Sequence, residues 1–451
     1  MTVPSAAAPS RIRPGDPTRV RYLVVLLLGL AAFCAYLTRV CISTAATTIQ
    51  SELGLSNERM GSVFAAFSLG YFLFQAPGGW LGNRFGCRAA LPALSVAWSL
   101  CTLWSGAAHS VGSLWSARLG FGLAQAGLVP CCSKVLADWI PESGRGTASA
   151  LVASSMSVGA VLASGLTAWL LPAAGWRPVF ALYSLAGVVW AILFFAVFRD
   201  RPEEHPWVNA SEAGLIEAGR PPHEVRADGA APADRRTGLA VARAMLRSPS
   251  LWAICSQSLF RSFGYAFFIT WFPAYLQYAH ALRVTEAGML TMIPLAGVVA
   301  GSLAGGVIVD RIMRRTGSKR LSRSGTATAA MVLCGAATLA AAWARSPLGA
   351  VLVISFGSFF MGVSGPCAWA GTMDISGRYT AIVFALMNMA GVVGDMTSPV
   401  AVGYLFSYVQ QSAGDWNWIL FLFAGIYGAA ALSWAVLDPS RPAAGSEVTP
   451  S

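Results

Sequence analysis

Apolar residues occur in long runs that recur from one end of the chain to the other. Each run is roughly 20 residues long, which is the length that an α-helix needs to cross about 30 Å of hydrocarbon. Glycine and proline inside the runs are compatible with helices, because packed membrane helices tolerate both. The pattern predicts an all-α membrane protein with twelve transmembrane helices, at residues 22–47, 59–82, 89–107, 111–133, 146–172, 178–198, 250–279, 287–309, 326–344, 347–371, 379–409 and 417–437.

A polar segment divides these helices into two groups of six. Residues 199–249 combine many charges and prolines with no long apolar run, which is typical of a linker. Within this segment, SEAGLIEAGR is predicted to form one short surface helix. The predicted division is a cytoplasmic tail, an N-terminal six-helix bundle, a cytoplasmic linker, a C-terminal six-helix bundle and a second cytoplasmic tail, at residues 1–20, 21–198, 199–249, 250–437 and 438–451.

The two groups share a short pattern that repeats without a gap, 227 positions apart. Residues 78–88 read GGWLGNRFGCR, and residues 305–315 read GGVIVDRIMRR. An apolar chain that repeats itself in this way is typical of a transporter built from two related halves. The repeat therefore predicts two pseudo-symmetric bundles, and the matched glycines at the same offset include Gly70 with Gly297 and Gly61 with Gly288.

Composition and charge placement exclude a soluble protein and a nucleic-acid partner. Charged residues make up 11% of the chain, against about 25% in soluble domains. The net charge is +11, but the basic residues collect in alternate loops, after the second and eighth spans and before the first. Because basic loops stay in the cytoplasm, we expect a multi-pass inner-membrane protein that contacts lipid, with both termini cytoplasmic. We expect it to be a monomer.

Nothing in the chain indicates an enzyme. The nine cysteines are scattered without metal-ligand spacing, and the four histidines fall in loops or at the ends of spans. The chain has no nucleophile elbow and no phosphate-binding loop. We therefore expect no metal, no cofactor and no catalytic residue.

Several motifs resemble known transporter families. The loop from Gly79 to Arg88 is similar to the signature of the major facilitator superfamily, and its second copy follows the eighth span. Four motifs resemble the anion:cation symporter family, which includes bacterial hexuronate, galactonate, glucarate and phthalate carriers and animal sialin. They are YLTR, GYFLFQAPGGWLGNRFG, RLGFGLAQAG and MDISGRYTAIVFALMNMAG, at residues 36–39, 70–86, 118–127 and 373–391. The resemblance covers nearly all of residues 20–437. It implies the major facilitator fold and secondary transport of a small organic anion, such as a sugar acid or another carboxylate, by alternating access.

Three arginines lie inside predicted spans, where a charged side chain costs about 2.5–3.5 kcal/mol on insertion scales. They are Arg39, Arg118 and Arg261, in the first, fourth and seventh spans. The resembled fold implies that these spans line one central cavity, together with the tenth. Arginine suits a carboxylate because its planar fork makes two parallel hydrogen bonds. We expect the three to attract the substrate anion.

Each arginine also has a structural alternative. Arg39 could belong to an ion pair, although no carboxylate lies near the middle of any first-half span. Arg118 could extend its side chain to the outer surface. Arg261 could pair at a gate or line the inner vestibule.

Polar and aromatic residues at helical spacing provide partners for substrate hydroxyl groups. Resemblance to galactonate-type carriers implies that Tyr36, Arg39, Tyr71, Arg118 and Asn388 stand at substrate-site positions. Interhelical hydrogen bonding is the alternative for all of these side chains. Gln75, Gln125 and Tyr265 are further candidates at helical spacing from Tyr71, Arg118 and Arg261, and Trp369 offers a flat stacking surface on the tenth span.

The driving ion needs a group that can take up a proton. Galactonate-type carriers have a carboxylate just before the arginine of the first helix and another seven residues after the arginine of the fourth. The corresponding residues here are Thr38 and Gln125, and neither side chain titrates. Asp395, in the middle of the eleventh span, is the candidate for proton coupling, and a structural pair with an arginine is its alternative. Without coupling, exchange or facilitated diffusion of the anion is favoured.

The repeated loops are expected to form the cytoplasmic gate. Asn83 stands where the superfamily usually has an aspartate, so the resemblance implies a weaker latch and a population shifted toward the inward-open state. The expected gating residues are Asn83, Arg84, Arg88, Asp310, Arg311 and Arg315. An organophosphate or phosphate exchanger is the alternative function, because its relatives pair arginines in the first and seventh helices, as Arg39 and Arg261 would.

Overall fold

The computed structural model describes residues 16–218, 247–376, 380–412 and 414–440, and all regular structure in them is helical. The predicted tails and linker lie mostly outside the described residues, as does part of the motif at 373–391. Twelve long helical units match the twelve predicted spans. They are α1 Val20–Thr44, α2 Asn57–Phe85, α3 Cys87–Gly106, α4 Val111–Trp139, α5 Glu142–Ala174, α6 Trp176–Val197, α7 Pro249–Thr270 continued by Phe272–His280, α8 Val284–Thr316, α9 Leu321–Trp343, α10 Pro347–Ser376, α11 Thr380–Gln411 and α12 Asn417–Val436.

Ten of these units are long and apolar enough to cross a membrane by length and composition alone. The remaining two, α2 and α7, carry polar residues that face the site described below. The α7 helix is also interrupted at Trp271, two residues before Pro273. Proline lacks a backbone N–H and its ring clashes with the preceding turn, which accounts for the interruption.

Some predicted boundaries were wrong. The first span was expected to reach residue 47, but α1 ends at Thr44 and a separate short helix, Ala46–Leu53, follows it. The expected loop after the second span shrinks to Gly86, which has φ of +78° and so takes a conformation that favours glycine. The expected gating residues therefore lie within helices rather than in loops, with Asn83 and Arg84 in α2, Arg88 in α3, and Asp310, Arg311 and Arg315 in α8.

The helices form two lobes with the same internal arrangement. In the first lobe, α1 packs on α5, α2 on α4, and α3 on α6. The second lobe repeats these pairs, with α7 on α11, α8 on α10, and α9 on α12. This correspondence confirms the two pseudo-symmetric six-helix bundles that the sequence predicts.

The repeated glycines make equivalent helix contacts in the two lobes. Gly70 of α2 lies against the backbone of α4, and Gly297 of α8 lies against that of α10. Gly61 of α2 packs closely against α11 of the other lobe, and Gly288 of α8 packs closely against α5 of the other lobe. Small residues let membrane helices approach closely. The repeat in the sequence thus marks both the packing within each lobe and the contact between lobes.

Each lobe has six spans, so the chain enters and leaves each lobe on the same side of the bundle. This side, where the connection between the lobes also lies, is called the linker face. The opposite side is called the far face. The main contacts between lobes are α2 with α11 and α5 with α8. At the far face, Thr47 Oγ1 donates to Gln277 Oε1 at 2.8 Å, and Asn57 Nδ2 donates to Gln410 Oε1 at 2.7 Å. These bonds join the lobes at the far face.

The short surface helix expected in the linker is present, and one face of it packs against the start of α1. It spans Ala210–Ala218, and its Glu212 is fully buried against the start of α1. That carboxylate accepts hydrogen bonds from Thr18 Oγ1 at 2.6 Å and from the backbone N–H of Val20 at 2.9 Å, and it pairs with Arg21 at 3.2 Å. A carboxylate is favourable there, because the first N–H groups of a helix lack partners within the helix.

Candidate functional site

A small cavity lies where the two lobes meet. Its volume is about 20 Å³, enough for about one water molecule. Helices α1, α4 and α7 line it as the resemblance implied, but α2 and α11 complete the wall where α10 was expected. The side chains around it include Arg39, Phe64, Phe67, Ser68, Arg118, Thr270 and Asp395.

Arg39 and Asp395 face each other across this cavity. Arg39 Nη2 of the first lobe lies 4.0 Å from Asp395 Oδ2 of the second, at the outer limit for an ion pair. The side chains are 15% and 22% exposed, so neither is sealed from water. Asp395 Oδ1 is buried and has no hydrogen-bond partner. The two side chains are therefore held only loosely together. The carboxylate that faces Arg39 belongs to the second half of the chain, since no first-half span has one near its middle.

Arg118 lies beside Arg39 and does not reach either surface, because it is only 3% exposed. Its Nη2 donates to the backbone carbonyl of Arg39 at 3.4 Å. Both guanidinium groups lie near the ring of Phe67, at 4.3 Å for Arg39 and 5.4 Å for Arg118. Arg118 also lies 4.7 Å from the ring of Phe121. Aromatic faces stabilise cations by cation–π attraction without neutralising them, so both positive charges remain available to an anion.

Close helix packing in the first lobe holds this arrangement. Gly122 of α4 lies directly against the carbonyl of Phe67, so a β-carbon at this position would overlap the backbone of α2. The close approach brings Phe67 next to Arg118, which is one turn earlier on α4. Glycine is therefore needed at this crossing if Phe67 is to lie between the two arginines.

Arg261 approaches Asp395 within the second lobe. Gly394 of α11 lies directly against the carbonyl of Leu259 on α7, and Asp395 and Arg261 are one and two residues further along these helices. Asp395 is accordingly within electrostatic range of Arg261 as well as Arg39. The Nε of Arg261 is buried without a hydrogen-bond partner.

Three tyrosines border the same charges. Tyr36, Tyr71 and Tyr265 are all within electrostatic range of Arg39. The guanidinium of Arg39 also lies 5.2 Å from the ring of Tyr36. The structure thus brings together tyrosines from α1, α2 and α7, whose hydroxyl groups can donate and accept hydrogen bonds.

The other predicted substrate residues lie apart from this cluster. Gln125 is 2% exposed, and its amide donates to the carbonyl of Ala35 at 2.9 Å, so it joins α4 to α1. Asn388 and Gln75 form a hydrogen bond of 3.1 Å between α11 and α2, in the half of the helices nearer the linker face. Trp369 is exposed, and its ring lies 5.0 Å from that of Phe384 on the neighbouring helix.

The predicted gating residues lie near the linker face, away from the cavity. Arg88 packs against the end of α6, where its Nε donates to the carbonyl of Phe195 at 3.2 Å and its backbone N–H donates to Asp200 at 3.0 Å. The other members, Asn83, Arg84, Asp310, Arg311 and Arg315, are exposed.

The charges of the cluster do not balance. Arg39 and Arg118 line the cavity with one carboxylate, Asp395, and Arg261 is within electrostatic range of the same carboxylate, so three positive charges are set against one negative charge in this part of the described structure. The Nε atoms of Arg118 and Arg261 are also buried and unpaired. Uncompensated charge at this depth is costly and marks a functional site by default. The arrangement is suited to holding an anion between the lobes.

The sequence reasoning missed several site residues, namely Phe64, Phe67, Ser68 and Thr270, and Phe67 is the one that lies near both arginines. It lies four residues before Tyr71 on α2 and so shares its face. That spacing was a usable signal, but an apolar residue in an apolar helix does not stand out.

Comparison with known families and proteins gives a consistent result. The Major Facilitator Superfamily pattern matches residues 28–399. The chain is 29% identical over 423 residues to the "Probable sulfoacetate transporter" of Cupriavidus necator, covering 93% of this chain and 94% of that protein. It is 30% identical over 431 residues to the "Probable galactarate/D-glucarate transporter" of Bacillus subtilis, covering 94% and 93%.

Solved structures share the fold at low sequence identity. A bacterial homologue of the human lysosomal transporter Spinster, in an inward-facing and unoccupied conformation, matches with a TM-score of 0.72 at 18% identity, and 95% of each chain is covered. A D-xylose–proton symporter matches with a TM-score of 0.70 at 17% identity, covering 93% of this chain and 98% of that one.

Proposed function

The chain belongs to the Major Facilitator Superfamily and is a multi-pass membrane transporter rather than an enzyme, and we propose that it carries a small organic anion. The observation that carries the proposal is the pair of Arg39 and the buried Arg118, which line a cavity between the lobes with a single loosely held carboxylate, Asp395. Two similar proteins are named as a probable sulfoacetate transporter and a probable galactarate/D-glucarate transporter, and a third, from Bacillus subtilis, as a hexuronate transporter. We propose a sugar acid or another carboxylate as the substrate here.

The anion binds by taking over the contacts of Asp395. The carboxylate of the anion accepts hydrogen bonds from Arg39 and Arg118. The hydroxyl groups of the anion form hydrogen bonds with Tyr36, Tyr71 and Tyr265. Guanidinium groups hold a carboxylate through parallel charge-assisted hydrogen bonds, which are the strong ones in proteins. Because Arg39 and Asp395 belong to different lobes, exchanging this partner changes the contact between the lobes.

Transport then proceeds by alternating access. The bundles 21–198 and 250–437 rock about the cavity, and the hydrogen bonds at the far face hold that side closed in the structure described. The exposed residues near Arg84 and Arg311 act at the opposite gate. We propose that this gate faces the cytoplasm and that both termini lie there, because the basic residues collect on this side.

Asp395 couples transport to protons. Displaced from Arg39 by the substrate, its carboxylate loses a stabilising cation and takes up a proton. The test is uptake into proteoliposomes with and without a pH gradient, for the wild type and Asp395→Asn. We expect the gradient to accelerate the wild type only. Equal gradient dependence of the two proteins would reject coupling through Asp395, and a wild type that ignores the gradient would favour exchange or facilitated diffusion.

The anion site itself is tested by removing its charges. We expect Arg118→Gln and Arg39→Lys each to reduce uptake of sugar acids by at least about tenfold, because lysine cannot provide the bidentate fork and glutamine provides no charge. Arg345→Gln is the matched control, since Arg345 is exposed at the far end of α9. Uptake at the wild-type rate by both Arg118→Gln and Arg39→Lys would contradict the proposed anion site.

A phosphate or organophosphate exchanger is the second candidate. It is favoured by one observation, that both Arg39 and Arg261 lie within electrostatic range of Asp395. Competition of labelled sugar-acid uptake by galactonate, glucuronate and glycerol phosphate separates the two functions. Displacement by glycerol phosphate alone would favour the exchanger.

A further inference from the structure

A groove lies on the second lobe between the ends of α9 and α12 at the linker face. Its volume is about 490 Å³, within the range of roughly 300–1,000 Å³ that is typical of small-ligand sites. One wall begins with a π-helical turn at Leu321–Gly325, and single turns of this kind are frequent at functional sites. Short side chains leave the space between the two helices unfilled. They belong to Ser324, Gly325, Thr328 and Ala329 of α9 and to Ala435 of α12.

The groove opens toward lipid rather than toward the other lobe. The main contacts between the lobes join α2 with α11 and α5 with α8, and neither α9 nor α12 takes part in them. Leu321 in the wall of the groove is 51% exposed, and Leu432 and Val436, within one turn of Ala435, are 70% and 68% exposed. Apolar side chains exposed on a membrane-spanning helix face the bilayer, so an occupant of the groove comes from the surrounding lipid.

Arg320 supplies the groove with a positive charge. Its side chain is exposed and makes no hydrogen bond or ion pair with any residue that the structure describes. Its neighbours Lys319 and Arg323 both pair with Asp374 of α10, each with a different carboxylate oxygen at 3.1 Å. Because both oxygens of Asp374 are engaged in this way, the charge of Arg320 stays available to an anion.

The corresponding end of the first lobe provides a contrast. There α3 packs on α6 as α9 packs on α12, and Arg88 lies at the start of α3. Its Nε donates to the carbonyl of Phe195 on α6 at 3.2 Å, and its guanidinium lies 4.8 Å from the ring of Phe195. Arg88 is thus held by its own lobe, so this helix packing does not require the unpaired cation that Arg320 provides.

We propose that the groove binds one anionic phospholipid of the surrounding bilayer, with the head-group phosphate on Arg320 and an acyl chain along the short side chains of α9 and α12. A guanidinium can donate two parallel hydrogen bonds to phosphate oxygens, and anionic head groups bind in basic pockets between membrane helices. A zwitterionic lipid carries the same phosphate together with its own positive charge, which weakens the attraction to Arg320. The proposal is independent of the transported anion, since the groove and the central cavity share no lining residue.

Native mass spectrometry of the delipidated, detergent-purified full-length protein tests this site. The two lipids are dioleoylphosphatidylglycerol, which is anionic, and dioleoylphosphatidylcholine, which has the same acyl chains and no net charge. Inorganic phosphate tests the anionic group without a lipid. Arg320→Gln removes the charge, whereas Ala329→Phe fills the groove and keeps the charge. Arg345→Gln is the matched control, because Arg345 is an exposed arginine near the opposite end of α9 and lies outside the groove.

We expect the wild type and Arg345→Gln to bind the first phosphatidylglycerol roughly tenfold more tightly than the first phosphatidylcholine, which is the value of one added hydrogen bond to a charged group. In Arg320→Gln this preference should fall to that of the lipids that bind after the first. Ala329→Phe should lose the tight phosphatidylglycerol site although its charge is unchanged. Arg320 and Ala329 are both exposed, so the two variants should keep the thermal stability of the wild type.

Several results would overturn the proposal. Equal wild-type affinity for the first molecule of each lipid would reject it. A preference that survives in Arg320→Gln or in Ala329→Phe would place the lipid elsewhere, and an equal loss in Arg345→Gln would show that total charge, not this groove, sets the preference. Displacement of phosphatidylglycerol by an equal concentration of inorganic phosphate would indicate a site for free phosphate and not for lipid.

Discussion

Replacing Asp395 by asparagine should tighten anion binding. The substitution keeps the shape of the side chain and removes the charge that competes with the substrate for Arg39. Two unit charges 4.0 Å apart attract by about 4 kcal/mol at an effective dielectric constant of ~20. The two side chains are 15% and 22% exposed, so water screens the pair. An effective value of about 1–2 kcal/mol remains, which corresponds to roughly five- to thirtyfold tighter binding.

The effect should also depend on pH. In the wild type, protonation of Asp395 removes the same competing charge, so anion affinity should rise as the pH falls through the titration of this group. The variant has no group to titrate here, and its affinity should stay level. At low pH the two proteins should therefore bind alike.

The assay is calorimetric titration of both detergent-purified proteins with a sugar acid across a series of pH values. Asp415→Asn is the matched control, because Asp415 is exposed near the far face and asparagine keeps its capping bond to Asn417. Asp395→Asn binding the anion no more tightly than the wild type at high pH would refute the reasoning. Weaker binding would show instead that the carboxylate contributes to the site.

Three further substitutions test the frame around the site. Glu212→Gln should lower the free energy of unfolding by about 3–5 kcal/mol, because it leaves buried donors at the start of α1 unpaired. Thermal unfolding measures this loss, and Glu217→Gln is the control because Glu217 is exposed. Gly122→Ala should reduce both stability and anion binding, since its β-carbon would overlap the α2 backbone, whereas Gly112→Ala on the same helix has open space and should be tolerated. Asn83→Asp should strengthen the gate at the linker face and increase cysteine labelling from the far face; unchanged labelling would count against a weakened latch.

The fold could be predicted because its signals are local. Runs of apolar residues located the twelve spans, with ends that differ from those of the helices by up to seven residues, and identical glycines such as Gly61 and Gly288 marked equivalent contacts in the two halves. Charge inside a span is rare enough to stand out. Arg39, Arg118 and Arg261 could therefore be selected from sequence alone, and the structure brings them to one place.

Pairings between distant segments could not be predicted. The partner of Arg39 is Asp395 in the other half of the chain, and no pattern in the sequence connects them. Gln125 was expected near the substrate, but its amide is taken by the carbonyl of Ala35. The short helix of the linker was expected at the surface, but nothing in its sequence predicts that its Glu212 is buried against the start of α1. Each of these outcomes depends on which segments lie next to each other once the helices have packed.

The most direct measurement is calorimetric titration of an organic-anion panel into the wild type and into the double variant Arg39→Gln, Arg118→Gln. We predict saturable binding of at least one carboxylate to the wild type, with one site per chain, and no detectable binding to the double variant at the same thermal stability. Equal affinity in the two proteins would contradict an anion site built on these two arginines.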